Sequence, residues 1–302
     1  MIVKKKRSIS RSSRYSASSI IMLAPFAILF FVFTILPVLS SVVLSFFNYD
    51  MVSVPKFTGL ENYLRMIMND SVFRTSVGNT LFFSVITGPV GFAMSFLLAW
   101  TINEFGPKTR SLLSFLFYSP SLVGNVFFVW QILFSGDSYG YINGLLLNMG
   151  IIVEPIQWLR DAKYTMAICV IVQLWMSMGV SFLANIAGLQ NTSPQYYEAG
   201  AIDGIQNRWQ ELWYITLPSM KNILLFSCVM QIQATFSASI VMTTLTGFPS
   251  VGYSTHTIVT HLTDVGTLRF EMGYASAISV FLFALMAISR VLIGKLIDMT
   301  GK

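Results

Sequence analysis

Charge is what this chain lacks most. Only 11% of its 302 residues are Asp, Glu, Lys or Arg, against 54% hydrophobic residues, whereas soluble domains carry about a quarter charged. That excludes an ordinary soluble domain. Cysteine and histidine are nearly absent. Cys169 and Cys228 fall in apolar runs and read as small hydrophobes, not as a disulfide framework. His256 and His261 lie five apart, so they share no helical face, and no Cys or cluster of acids joins them; a metal site is not expected. No G-x-x-x-x-G-K-S/T occurs, because GPKT at 106–109 and the terminal GK both miss the spacing. No nucleophile–base constellation is found either, so the chain is not expected to be an enzyme on its own.

What remains is long apolar stretches. Runs free of Asp, Glu, Lys and Arg cover 15–49, 75–103, 111–136, 138–153, 164–197, 222–263 and 272–289. A bilayer crossing needs about 20 mostly apolar residues. The runs predict an all-α membrane protein with six transmembrane helices, near 20–45, 79–101, 112–134, 165–189, 223–246 and 272–294. The run 138–153 is short and interrupted by Gly and Asn, and reads as a helix at or dipping into the interface. Pro25, Pro37, Pro89 and Pro120 fall in or beside spans, where neighbouring groups can satisfy the freed carbonyls; outright breaks fit less well.

The basic opening, with Lys4, Lys5, Lys6, Arg7, Arg11 and Arg14, runs straight into the first apolar stretch. It therefore reads as a cytoplasmic flank rather than a nucleic-acid patch. The stretch is far longer than the h-region of a cleaved signal, so it is expected to stay and span. Residues 1–18 are expected to form a basic cytoplasmic tail and 19–302 a six-helix transmembrane body. With both termini in the cytoplasm, 13 Lys and Arg fall inside against 6 outside, as the positive-inside rule prefers. The loop 190–222 adds little to that balance, with two basic and three acidic residues.

That loop contains EAGAIDGIQNRWQELWYITLP at 198–218. Ser193-Pro194 offers a cap and a first helical residue. Ala199, Gly200 and Ala201 keep one side low, and Asp203-Gly204 is a stop, the Gly for a left-handed turn and the Asp to accept from the following amides. A second short helix fits from Asn207 to Trp213. Physics alone leaves two readings, an arm built to dock on another protein and a solvated loop with a tidy turn.

Polar side chains inside the spans form stripes. The fifth span carries Ser227, Gln231, Thr235 and Ser239 at intervals of four, with Gln233 off the stripe. The fourth carries Gln173, Ser177 and Ser181, with Trp175 and Asn185 nearby, and the third carries Asn125 and Gln131. They fit either a pathway for a polar solute, which neutral amides and hydroxyls can hydrogen-bond without carrying charge, with Trp175 beside it, or glue between helices.

The 198–218 segment resembles the signature loop of membrane-spanning subunits of bacterial binding-protein-dependent ABC importers. Glu198, Ala199, Asp203, Gly204, Ile215, Leu217 and Pro218 fall on its E-A-A, Gly and I-x-L-P pattern. Gly200 stands where Ala is usual, loosening the helix by about 1 kcal/mol, and Asn222 stands where a second Pro often follows. GLENYL at 59–64, NTLFFSV at 79–85, LTGFPS at 245–250 and GYASAISV at 273–280 resemble the carbohydrate-importing, maltose-type branch. The resemblance covers nearly the whole chain. It implies a type I ABC importer permease fold in the bacterial cytoplasmic membrane. ATP and Mg are then bound by two partner ATPase subunits and no cofactor by this chain. A second permease subunit, either identical or a homologue, shares the pathway, and an extracytoplasmic solute-binding protein delivers a carbohydrate. The loop 191–222 becomes the coupling loop: Glu198 offers a charged contact, Ala199 and Gly200 the close approach, Asp203-Gly204 the turn, and Leu217-Pro218 the return to the membrane. The alternative is an ion-coupled secondary transporter or channel. The central turns of all six spans lack Asp, Glu, Lys and Arg, which argues against proton coupling.

Overall fold

The computed structural model describes residues 17–124 and 126–300, with side chains from 21 to 295. Residues 1–16 of the basic tail, and Asn125, lie outside the described residues. Among the described residues, five helices are long and apolar enough to cross a membrane: Ile21–Leu44, Ser71–Asn103, Ala162–Asn191, Lys221–Thr246 and Met272–Lys295. A bent pair, Pro107–Leu122 and Phe127–Leu133 at 84° to one another, makes a sixth apolar segment when taken as one span.

The bend corrects the expectation of a continuous third span over 112–134. Pro120 is not its cause. The carbonyl that proline leaves without a donor is that of Leu116, and the Ser119 hydroxyl donates to it at 2.8 Å. The helix survives Pro120 and stops two residues later, where Val123 turns extended (φ −94°, ψ 108°) ahead of Gly124. Pro37 is absorbed differently: a π-helical turn at Phe31–Ile35 precedes it, with the Leu36 amide reaching five residues back to the Phe31 carbonyl. The fourth and fifth spans are also hitched, the fourth between Met176 and Val180 and the fifth between Phe236 and Ile240. The prolines themselves end no span: Pro25, Pro37, Pro89 and Pro120 all lie within helices, and the interruptions fall at other residues.

The second span is the axis of the fold. Its 33 residues reach about 50 Å at 1.5 Å per residue. Each of three buried apolar clusters takes residues from it: Phe73 with Met66, Ile258 and Ile278; Phe83 with Cys169, Val172 and Met242; and Phe96, Ala99 and Ile102 with Phe182, Leu189 and Met220. Cys169 is core and Cys228 half-buried, both as free thiols. The first span is the opposite case, with none of its apolar window buried.

The segments between spans are better built than their composition implies. A two-residue antiparallel pair sets Phe47 against Phe57 and Asn48 against Lys56. Asn62, inside the GLENYL stretch, donates to the Ser45 and Phe47 carbonyls, both at 2.9 Å. The 138–153 run holds one helix, Tyr141–Asn148. It is pinned by buried Asn143, which accepts from the Trp158 indole at 2.8 Å and from the Ile156 amide at 3.2 Å.

At the end of the second span away from the 191–222 loop, Asp70 caps the helix, accepting from the Phe73 amide at 2.8 Å. Its other oxygen meets His261 Nε2 at 2.9 Å and the Tyr274 hydroxyl at 2.7 Å. Burial works against the Asp70 charge, but the Phe73 amide, Tyr274 and His261 outweigh it and hold the carboxyl below its usual range. The reading of the two histidines by helical spacing fails here. His256 precedes the helix Ile258–Thr263, and its ring packs edge-on against His261 at 5.6 Å.

Both ring nitrogens of His256 are buried without partners. Burial, and then the nearby His261, push its pKa from 6.5 down to about 4. Between those values the unfolded chain takes up a proton that the folded chain refuses, so stability falls as pH falls through that window. His256→Phe, an apolar ring beside Phe248 and Tyr253, is expected to flatten the loss. Thermal midpoints in detergent at about pH 7 and about pH 4.5 check it, the parent losing more than the variant.

Candidate functional site

The 191–222 loop folds into a compact arm. Ser193 has the extended backbone of a cap, but its side chain makes no capping bond; Pro194 starts the helix Pro194–Ile202. The helix closes in a Schellman turn. The Ile205 amide bonds the Gly200 carbonyl at 2.9 Å, and the Gly204 amide bonds the Ala201 carbonyl at 3.4 Å, with Gly204 at φ +92°. That closure engages both amides after Asp203, so the expected Asp203 acceptor role is not observed among the described residues. Gln210 does the work one step later, its side chain accepting from the Gln206 amide at 2.9 Å. Asn207 then caps the second helix, Arg208–Glu211, by accepting from the Gln210 amide. A π-helical turn, Leu212–Thr216, follows and leads into Leu217 and Pro218, the same device that precedes Pro37.

Gly200 is buried, and a Cβ on it would sit 2.5 Å from the Ile215 terminal carbon and 3.0 Å from that of Ile205. The close approach at Gly200 is therefore made within the arm. Glu198, Ala199, Asp203 and Gly204 are exposed, Leu217 is half-buried and Pro218 is exposed. Two hollows flank the first arm helix. One, of about 430 Å³, is lined by Glu198, Tyr197, Arg208, Glu104 and Trp100; the other, of about 570 Å³, by Ala199, Gly200, Asp203, Tyr214 and Pro218. Ile202 at 88% exposure, with Tyr214 at 73% and Trp213 at 65%, leaves the arm an apolar outer surface, the composition of a face that another protein covers.

Inside the bundle, the two hitches of the fourth and fifth spans meet. They border a cavity of about 270 Å³ lined by Gln173, Ser177, Gly179, Gln231, Gln233 and Ser237, among others. Gln231 is buried and tied to other spans, accepting from Ser181 at 3.3 Å and donating to the Thr87 carbonyl at 3.4 Å. It fits because position 91 has no side chain: a Cβ on Gly91 would overlap the Gln231 amide and lie 3.0 Å from Ser177 Cβ. Gln173 and Gln233 make no side-chain hydrogen bond among the described residues. The remaining sequence candidates lie elsewhere. Thr235 is buried and donates to the Ile232 carbonyl at 3.0 Å, Trp175 packs edge-on against Trp130 at 5.4 Å, and Gln131 donates to the Thr244 carbonyl. Asn125 lies outside the described residues. Sequence reasoning missed Gly91 and the hitches. The one available signal was Gly in a long helical run, which marks close packing.

The geometry has counterparts. Residues 91–298 match the family model described as "Binding-protein-dependent transport system inner membrane component". The chain is 30% identical over 299 residues to the probable ABC transporter permease protein YesP of Bacillus subtilis (strain 168), covering 97% of this chain and 93% of the relative. It is 31% identical over 291 residues to the lactose transport system permease protein LacF of Rhizobium radiobacter, covering 92% and 94%. A solved bacterial ABC transporter involved in import of the acidic polysaccharide alginate has a chain of the same fold, with a TM-score of 0.75 at 21% identity over 93% of this chain and 95% of that one. The helical bundle, with the cavity between its fourth and fifth spans and the arm joining them, has the type I ABC importer permease fold. The chain belongs to the binding-protein-dependent transport system inner membrane components, as a multi-pass membrane permease subunit.

Proposed function

We propose that this subunit carries a carbohydrate through the membrane, driven by ATPase subunits that grip the 191–222 arm from the cytoplasm. The observation that carries the reading is the arm itself: a capped helix with Glu198, Ala199 and Asp203 turned outward and Ile202 almost bare. ATP and Mg belong to two such ATPase subunits. Closure of that pair would move the docked arms together and alternate the access of the cavity, through contacts that differ between two states. Both termini then lie in the cytoplasm.

The solute class follows from the cavity. Its walls hold amides and hydroxyls and no ionisable side chain. Such groups bond a hydroxyl-rich neutral solute without the penalty of a buried charge. Relatives named for lactose and arabinooligosaccharide transport support this. At about 270 Å³ the cavity is small for an oligosaccharide, which fits a pathway completed by a second permease subunit. An extracytoplasmic solute-binding protein would deliver the cargo to the segments around 47–78, 135–164 and 247–271. A solved relative was captured with an alginate pentasaccharide-bound periplasmic protein. The test is uptake by the assembled transporter in sealed vesicles. Uptake is expected to need ATP and to persist when ionophores collapse the ion gradients. Uptake that follows the gradient and ignores ATP would establish the secondary-carrier reading instead.

A further inference from the structure

We propose that Arg208, Glu104, Trp100 and Trp209 form a clasp that delivers the arm's movement to the second span, so that this span, and not only the fourth and fifth that flank the arm in sequence, works the cavity. The inference rests on the arm being the ATPase docking element.

The arm is built in two parts. Its first helix, Pro194–Ile202, carries the outward face. It leans on the second part through Gly200 against Ile205 and Ile215, and through the Tyr197 hydroxyl at 3.1 Å from Thr216 Oγ1. The second part is fastened to the second span. Leu212 is buried in the cluster that holds Phe96, Ala99 and Ile102. Outside that cluster, the Arg208 guanidinium divides between two carboxylates, Glu211 at 2.7 Å on its own helix and Glu104 at 2.6 Å, one residue beyond the second span. The Trp209 indole packs on Trp100 of that span at 5.4 Å. The hollow of about 430 Å³ lies between the first arm helix and these groups, so the second part of the arm makes the link.

An exposed ion pair is worth little as stability. Its role is geometric: a guanidinium held by two carboxylates fixes where the arm meets the helix end. The far consequence lies in the same helix. Thr87 and Gly91 sit on the second span, Thr87 accepting from Gln231 and Gly91 leaving room for Gln231 and Ser177. A shift or rotation of this helix therefore bears on Gln231 and Ser177, which line the cavity.

The test uses the full transporter with its ATPase and second permease subunits in nanodiscs, and requires no knowledge of the solute. A Ser237→Cys reporter in the cavity, on a Cys228→Ala background, is alkylated by a maleimide with and without ATP–vanadate trapping. Trapping is expected to change the labelling rate about tenfold in the parent, as a switch between open and closed states should. Glu104→Gln and Arg208→Gln are each expected to cut that response by about threefold or more. The double variant should be no worse than either single, because one link is removed once, and Arg208→Lys, which keeps the charge but not the two-nitrogen fork, should fall between the parent and Arg208→Gln. The clasp is refuted if the singles respond like the parent, if the double loses the product of both effects, or if the singles no longer co-purify with the ATPase. Glu198→Lys separates the two layers. If it kills the response while Glu104→Gln does not, the clasp fails and the docking arm stands; if Glu198→Lys also responds normally, the docking arm itself is wrong.

Discussion

Gly204→Leu is expected to abolish ATP-driven uptake while the subunit still inserts and accumulates in the membrane. Gly204 sits at φ +92°, and a Cβ there would have nothing within 4 Å, so the substitution is not opposed by crowding at its first carbon. Its penalty is backbone strain, about 1–2 kcal/mol for a left-handed residue with a side chain. The arm relieves that strain by opening the turn, which releases the Ile205 amide from the Gly200 carbonyl and tilts the helix that bears the outward face. Glu198→Lys reaches the same end without strain, by reversing one exposed charge at the rim of the hollow it shares with Arg208. Uptake and ATPase co-purification, measured beside membrane content, check both. Normal uptake in the two variants together would remove the arm from the transport cycle. Loss of membrane content in Glu198→Lys would mean that the arm serves folding instead.

The second large effect is at Gly91. Gly91→Leu places a side chain where the Gln231 amide and Ser177 now meet the second span. Overfilling such a site costs about 1–3 kcal/mol, and the helix relieves it by standing off from the fifth span or by pushing Gln231 into the cavity. Uptake should fall about tenfold or more, with expression little changed. Gly78→Ala is the matched comparison, since nothing lies within 4 Å of a Cβ there, and it should transport normally. Gln173→Leu isolates the solute. Gln173 lines the cavity without a side-chain hydrogen bond among the described residues, so its loss should weaken uptake about threefold to tenfold, the worth of one neutral hydrogen bond, and leave assembly intact. A Gln173→Leu variant that fails to assemble would make that residue packing material.

The spans were legible because a bilayer demands long charge-free runs, and runs of that kind are visible without a structure. The arm was legible for a different reason: Pro194, Gly204 and Pro218 impose local geometry almost regardless of surroundings. The hitches at 177–179 and 237–239 were hidden. Ser, Ala and Gly are acceptable in a membrane helix, and only the packing of two spans about a cavity makes an interruption cheaper than a continuous ladder. Stripes at intervals of four misled differently: the helix is unbroken from Lys221 to Phe236, and its stripe of Ser227, Gln231 and Thr235 is buried against the rest of the bundle. Gln233, off the stripe, lines the cavity, while Thr235, on it, does not. Gly200 was placed on the docking surface because small residues invite close approach; its partners proved to be Ile205 and Ile215 in the same loop.

The paired hitches reach beyond the opening of a cavity. Where a helical ladder is interrupted, the peptide groups near the break must find other partners, and here both breaks border the same space. The Gly179 carbonyl is taken by the Phe182 and Leu183 amides, and the Ser237 amide by the Gln233 carbonyl. With those backbone groups engaged, choice among solutes falls to the surrounding side chains, so a change of cargo would ask for a few substitutions and no new backbone.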